Sequence, residues 1–116
     1  MTSHIDTGRL GEEIVVKYLK MLGNRISEQN WRSGKGEIDI IFCEGKEMVF
    51  VEVKTRTTDR FGFPESAISL AKQKMMIETA RKYIEFRNWK GEVRFDVASV
   101  ILDPKGVKYF KDAFWV

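Results

Sequence analysis

The pattern of apolar and polar positions in the first half of the chain predicts one helix followed by three strands. From Gly8 to Leu22, apolar residues recur at helical spacing along one stripe, and Gly23-Asn24 marks its end. The segment from Arg25 to Arg32 predicts an edge strand, and residues 33–36 form a basic, glycine-containing loop. Two apolar strands follow, and we expect them to pair as a hairpin.

A two-residue turn sets the register of this predicted hairpin. Gly45-Lys46, with glycine first, favours a type II′ turn, which suits right-twisted strands. That turn places Asp39 opposite Glu52, and the alternation of side chains puts both on one face together with Lys54. The other face carries six apolar residues: Ile38, Ile40, Phe42, Val49, Val51 and Val53. Both faces look covered, and ionised carboxylates there are costly unless they are paired or bind a cation.

The second half of the chain predicts a loop, a long helix and two strands. Residues 55–63 lack periodicity, so we expect a mobile loop beside the acidic end of the hairpin. A helix is predicted from Pro64 to about Asn88, and strands are predicted from Val93 to Leu102 and from Val107 to Lys111. This order predicts a single α/β domain in which a mixed sheet is flanked by helices.

The composition indicates one soluble domain without narrowing its function. The chain has 116 residues, of which 43% are hydrophobic and 32% charged. No apolar run approaches a membrane span, and the start lacks a signal peptide's apolar region, so we expect a cytoplasmic location. The single cysteine, Cys43, excludes an internal disulfide and a cysteine zinc site, and we expect it to be buried. The single His4 cannot assemble a histidine site, and a net charge of +3 permits a phosphate-bearing partner without requiring one.

Asp39 and Glu52 suit a divalent metal site. Mg²⁺ prefers oxygen ligands, usually one or two carboxylates together with waters and substrate phosphate. Lys54, two residues beyond Glu52, could orient a metal-activated water or neutralise charge in the transition state. The alternative is structural, since the same register puts Glu37 opposite Lys54 as an ordinary cross-strand ion pair. The residues alone leave these two interpretations about even.

Glu12 favours the functional interpretation. It shares the apolar helical stripe, whereas its neighbour Glu13 does not, and a carboxylate on a core-facing stripe needs a partner. The alternative is a solvated carboxylate near the helix start, favoured by the helix dipole. Lys72 lies on the stripe of the long helix, where it could reach substrate phosphate or extend to solvent.

Basic and aromatic side chains near the predicted loops could contact nucleic acid. Four cationic residues frame the acidic end of the hairpin and could bind a phosphate backbone: Arg32, Lys35, Arg56 and Arg60. Scattered solvated charges would look similar. The tryptophans could stack on bases, but burial in the core or an interface is the better expectation for Trp31, Trp89 and Trp115.

Motifs along nearly the whole chain resemble those of the YraN-like family, a group of uncharacterised bacterial proteins usually described as endonuclease-like. The resemblance rests on the following motifs, in this order: GRLGEE from Gly8, Asn30 with Arg32, GEIDII from Gly36, VFVEVKTR from Val49, AKQK from Ala71 and FDVASV from Phe95. It implies a restriction-endonuclease-like fold of the PD-(D/E)XK superfamily, similar to archaeal Holliday-junction resolvases. It also implies Asp39, Glu52 and Lys54 as the core motif, with Glu12 as an additional helix carboxylate. The superfamily's leading proline is absent, because Ile38 precedes Asp39.

These observations together predict an endonuclease dependent on Mg²⁺ or Mn²⁺ that cleaves DNA, including branched or damaged forms. Glu12, Asp39 and Glu52 would hold the metal, with the backbone carbonyl of Val53, and Lys54 would act on the water or the phosphate. The competing hypothesis is a nucleic-acid-binding or assembly module that keeps the fold without turnover, and a protein-interaction scaffold is a third. The sequence does not determine the substrate, DNA or RNA, or whether the protein forms a homodimer.

Overall fold

The computed structural model describes residues 4–115, with side chains from residue 7 onward, so the side chain of His4 lies outside the description. It contains two helices and five strands. In chain order these are α1 (His4–Met21), β1 (Arg25–Ser33), β2 (Gly36–Glu44), β3 (Glu47–Thr58), α2 (Leu70–Arg87), β4 (Glu92–Asp103) and β5 (Lys105–Phe110). Neither helix is long and apolar enough to cross a membrane, within the described residues.

The strands form one mixed sheet in the order β1-β2-β3-β4-β5. Neighbouring strands are antiparallel except β3 and β4, which run parallel and are connected through α2. The register of the β2–β3 hairpin is the one expected from its turn, with Ile41 opposite Phe50. Gly45 has a φ of 60°, which the first central position of a type II′ turn requires. The α/β class and the mixed sheet are therefore confirmed.

Each face of the sheet is covered by one helix, which produces two apolar clusters. On one face, α1 contributes Val15, Val16 and Leu19, which pack with Ile40, Phe42, Val49, Val51, Ala98 and Val100. On the other face, α2 contributes Met76, Ala80 and Tyr83, which pack with Ile38, Ile41, Met48, Phe50, Phe95 and Phe114. The central strands are buried on both sides, as strands between two helical layers must be. The fold fits a restriction-endonuclease-like architecture.

Two glycines allow the helices to approach the hairpin closely. A Cβ atom on Gly11 would lie 1.9 Å from Oγ1 of Thr55, so α1 contacts β3 without room for a side chain. A Cβ atom on Gly36 would lie 1.9 Å from Oγ1 of Thr79, where α2 contacts the start of β2. The first contact also sets the position of Glu12, because Gly11 directly precedes it.

The boundaries of the loop and of α2 differ from those predicted. Strand β3 continues to Thr58, because its parallel pairing with β4 extends that far, so the predicted mobile loop at residues 55–63 is wrong in its first part. Helix α2 begins at Leu70 rather than Pro64, because the Ser69 side chain caps it by accepting a hydrogen bond from the backbone N–H of Lys72. Pro64 is instead held in the loop, where its carbonyl accepts a hydrogen bond from Ser99.

Three other expectations need correction. Ile38 packs with the α2 cluster rather than with Ile40, because β2 and β3 stop pairing beyond Ile40 and β2 turns away. Cys43 is free but only half-buried, since it lies at the margin of the α2 cluster. Trp115 is 64% exposed, whereas Trp31 and Trp89 are partly buried against the α2 cluster.

A buried ionic network closes the end of the sheet that carries the β2–β3 turn. Arg94 donates two hydrogen bonds to the Asp96 carboxylate, each 2.9 Å, and contacts Glu44 and Glu47. Asp96 also accepts from the Tyr109 hydroxyl at 2.6 Å. Every charge here has a protein partner of opposite sign or a hydrogen-bond donor. The carboxylates at the other end of the hairpin are arranged differently.

Candidate functional site

The carboxylate of Asp39 lies at a fork between β2 and β3. The hydrogen-bonded register of these strands ends at Ile40 and Val51, one pair short of Asp39 and Glu52. The backbone N–H of Val53 is thereby free from the ladder, and it donates to Oδ2 of Asp39 at 2.8 Å. The carboxylate of Asp39 thus takes the place of a backbone carbonyl of β2 as the acceptor for Val53. This hydrogen bond to the backbone fixes the position of the carboxylate.

Burial and a neighbouring carboxylate make Asp39 a weak acid. The pKa of Asp39 is raised to about 9, chiefly by burial and then by the hydrogen bond with Glu52 and the charges of Glu52 and Glu12. The Val53 N–H opposes this increase. The raised pKa favours the protonated form of Asp39 near neutral pH, with Glu52 as its hydrogen-bond partner.

Helix α1 brings Glu12 to the same site. Burial raises the pKa of Glu12, a hydrogen bond from the Asn30 side chain lowers it, and the charges of Glu37 and Glu52 raise it. Glu13 is exposed, as the helical stripe predicts. The structure thus places Glu12, and not Glu13, beside the hairpin carboxylates.

Asn30 contacts Glu12 at this site, which the sequence did not predict, although Asn30 belongs to one of the family motifs. It lies on β1 between two residues that pair with Ile40 and Ile38, and so falls opposite Asp39. Its φ is 52°, a left-handed conformation that asparagine tolerates better than most residues. This backbone geometry accompanies the hydrogen bond to Glu12. The signal in the sequence is the motif of Asn30 with Arg32, two residues apart on the predicted edge strand.

Lys72 forms an ion pair with one of the hairpin carboxylates. Its Nζ atom lies 3.1 Å from Oε2 of Glu52, and the two side chains are 39% and 14% exposed, respectively. The expectations for Lys72 were a contact with substrate or extension to solvent. In the structure it pairs with a candidate metal ligand instead, because α2 begins just before it and points its first turn at the hairpin.

Lys54 is directed at the loop before α2. Its ammonium group donates to the backbone carbonyl of Ala67. Glu37, the alternative cross-strand partner, instead pairs with Arg32 at 3.4 Å, across the β1–β2 register. The structural interpretation of Lys54 as the ion-pair partner of Glu37 is therefore wrong. Lys54 retains further N–H donors for a substrate oxygen, because an ammonium carries three.

The four predicted phosphate-binding residues lie at the surface around this site but do not converge. Arg32 is exposed and paired with Glu37, and Lys35 is exposed at the β1–β2 turn. Arg56 donates to the carbonyl of Phe61 at 3.1 Å, and the guanidinium of Arg60 lies 5.5 Å from the Phe61 ring centre. Arg60 therefore lies in the residue 59–69 loop and Arg56, at the end of β3, contacts that loop, whereas Arg32 and Lys35 belong to the β1–β2 hairpin.

Similarity to known proteins supports the resemblance seen in the motifs. A model of the uncharacterised protein family UPF0102 matches residues 11–100. The chain belongs to this family. A UPF0102 protein of Syntrophus aciditrophicus is 42% identical over 98% of this chain and 92% of its own length. One from Porphyromonas gingivalis is 42% identical over 91% of this chain and 78% of its own, and one from Cytophaga hutchinsonii is 43% identical over 84% and 86%.

Membership of UPF0102 confirms the family but names no activity. The matched range contains all four residues expected to carry chemistry: Glu12, Asp39, Glu52 and Lys54. The geometry of the site, rather than the family, is therefore the evidence for function.

The donor set of this UPF0102 site fits a hard cation, although it is not a complete cage. Within the part of the chain whose side chains are described, no three acidic, histidine or cysteine side chains converge as a ready-made metal site. Mg²⁺ needs only one or two carboxylates besides waters and substrate phosphate, and Asp39 and Glu52 offer these. The carboxylates are all oxygen donors, and Asp39 has no cationic partner in the described residues.

Proposed function

We propose that this UPF0102 protein hydrolyses phosphodiester bonds in DNA with Mg²⁺ or Mn²⁺ held at the β2–β3 fork. The observation that carries the proposal is Asp39, whose partly buried carboxyl lies beside Glu52 at the end of a strand pair, with the charge of Glu12 acting on it as well. Such an arrangement is expensive to maintain in a folded protein, and strongly perturbed carboxyl groups cluster at functional sites. A bound divalent cation would relieve the repulsion.

Asp39 and Glu52 would hold the metal, with the carbonyl of Val53 as a further ligand. Glu12 would contact the metal through a bound water. The metal would supply a more acidic bound water and stabilise charge on the phosphate. Asp39 must first lose its proton, and Glu52 must leave Lys72. Lys72 would then be free to meet the negative charge that arrives with the substrate.

Lys54 would orient the attacking water or the phosphate oxygen. Its hydrogen bond to Ala67 fixes the direction of its ammonium and links it to the residue 59–69 loop. Arg60 on that loop and Arg56 on β3 beside it would contact the nucleic acid backbone on one side of the cleaved bond. Arg32 and Lys35 would contact it on the other. These contacts would be sequence-independent and would weaken with salt.

The second candidate is a nucleic-acid-binding or assembly module without turnover. The ion pair between Lys72 and Glu52 favours it, because an internal cation already neutralises one of the two principal ligands. The modest net charge of +3 is compatible with both candidates.

A cleavage screen distinguishes the two. Linear, nicked and branched DNA are incubated with the protein in Mg²⁺ or Mn²⁺, beside Asp39→Asn and the control Glu13→Gln. Each variant replaces one carboxylate by an amide, but Asp39 lies at the β2–β3 fork and Glu13 does not. We expect cleavage by wild type and by Glu13→Gln, and none by Asp39→Asn. Absence of cleavage by wild type, with retained DNA binding, would favour the module instead.

A further inference from the structure

An exposed aromatic and cationic surface lies where the β1–β2 turn meets α2. We call it the hairpin–α2 surface and define it by Trp31, Lys35, Lys82 and Phe86. The ring centre of Trp31 lies 5.0 Å from that of the buried Tyr83 and 6.4 Å from that of Phe86. Phe86 is 72% exposed. The two outer rings therefore rest on a rigid base and present apolar area to solvent.

The lysines of this surface have no acidic partner. Within the described residues, neither Lys35 nor Lys82 forms an ion pair, and both are exposed. The Nζ atom of Lys82 lies over the hairpin turn, 3.7 Å from the position that a Cβ atom on Gly34 would take. The close contact of Gly36 with Thr79 holds the turn against α2. Lys82 thus lies one helical turn before Phe86 and against the turn that carries Lys35, so the surface combines two lysines that form no ion pair among the described residues with exposed aromatic area.

The hairpin–α2 surface is within reach of the acid cluster along a single helix. Lys72, which contacts Glu52, lies in the first turn of α2, and Lys82 and Phe86 follow it by 10 and 14 residues. A rise of about 1.5 Å per residue places them about 15 and 21 Å away along the axis. That span corresponds to about four to six nucleotides of a stacked strand, at about 3.4 Å per nucleotide along its axis.

We propose that the hairpin–α2 surface binds a single-stranded segment of DNA, with a base stacked on Phe86 and phosphates near Lys35 and Lys82. Exposed rings bordered by cations suit an unpaired base and its backbone, because every base has a face that can stack. Paired bases within a duplex have no free face to offer. This inference rests on the proposed function and specifies its substrate as DNA with an unpaired stretch beside the cleaved bond.

The test measures binding without cleavage. A fluorescent oligothymidine of about 12 nucleotides, within the usual range of site sizes, and a duplex of the same length are titrated with the full chain. Fluorescence anisotropy is recorded in low salt with EDTA. Phe86→Ala should weaken oligothymidine binding by about 5-fold to 150-fold, the loss of one stacked base, and change duplex binding by less than about two-fold. Phe86→Trp should restore the single-strand affinity.

Controls separate this surface from general electrostatics. Trp115→Ala removes another exposed aromatic ring, and Lys105→Gln removes an exposed lysine on the opposite edge strand. Both should leave oligothymidine binding unchanged, whereas Lys82→Gln should weaken it. Equal weakening of both DNA forms by Phe86→Ala, or no effect of that variant, overturns the proposal. So does sedimentation showing that Phe86→Ala only dissociates a homodimer, because the surface would then be an interface between copies.

Failure of this inference is distinguishable from failure of the nuclease proposal. Cleavage of DNA with wild-type oligothymidine binding by Phe86→Ala would refute the hairpin–α2 surface and leave the active site standing. Loss of single-strand binding in Phe86→Ala, with no cleavage by wild type under any metal, would support the surface and refute the nuclease.

Discussion

The sharpest consequence of the site is that Asp39→Asn should stabilise the metal-free protein at neutral pH. Unfolded, Asp39 ionises with a pKa near 3.8, whereas in the folded state its pKa is about 9. Between these values the folded state binds one more proton than the unfolded state, so stability falls as pH rises. An amide keeps an oxygen for the Val53 N–H and carries no charge, and therefore escapes this dependence.

The size of the stability difference follows from the free energy needed to keep Asp39 protonated in the folded state. At pH 7, about 3 pH units above the ordinary pKa, holding Asp39 protonated costs up to about 4 kcal/mol, at about 1.4 kcal/mol per unit. Asp39→Asn should be more stable than wild type by up to that amount. Between pH 6 and pH 8 the difference should grow by about 3 kcal/mol.

Urea unfolding in EDTA at several pH values measures this difference. Glu13→Gln is the matched control, because it makes the same chemical change on an exposed helical position. Its pH dependence should parallel that of wild type. A stability difference between Asp39→Asn and wild type that is constant from pH 5 to pH 9 would refute the reasoning, since no buried carboxyl would then titrate in that range. Added Mg²⁺ should stabilise wild type and not Asp39→Asn.

Three further substitutions test the elements that assemble the site. Gly11→Ala should destabilise the fold by about 1–3 kcal/mol, because the added methyl group overpacks the contact with Thr55. Gly8→Ala, whose added methyl group would meet no atom within 4 Å, should be neutral or slightly stabilising, and thermal unfolding compares the two variants. Lys72→Gln should tighten Mg²⁺ binding, measured by calorimetry, by up to about five-fold, because it removes a competing cation whose ion pair is worth at most about 1 kcal/mol. An unchanged affinity in that variant, or an equal gain in the exposed control Lys74→Gln, would contradict this. Asn30→Gly should keep the backbone and lose only the contact with the helix carboxylate, so it should be more stable than Asn30→Ala by about 1 kcal/mol; equal stabilities would show that the left-handed conformation is unimportant.

The sequence by itself determined the parts of this protein that follow from local periodicity. The Gly45-Lys46 turn set the hairpin register, because a two-residue turn leaves one pairing of the strands that follow it. The stripe of α1 separated Glu12 from Glu13, because residues on one helical face share one environment. These rules act over a few residues and leave a visible pattern in the chain.

Only the tertiary structure decided which of these groups meet and how. Three contacts of the site join separate elements of the chain. They are the hydrogen bond from the Val53 N–H to Asp39 at the fork, the pairing of Lys72 with Glu52, and the hydrogen bond from Lys54 to Ala67. The true start of α2 depends on the cap at Ser69 and on loop contacts with β4. Such contacts depend on the angle at which strands diverge and helices dock, and side-chain packing across the whole sheet sets those angles. No local pattern records them.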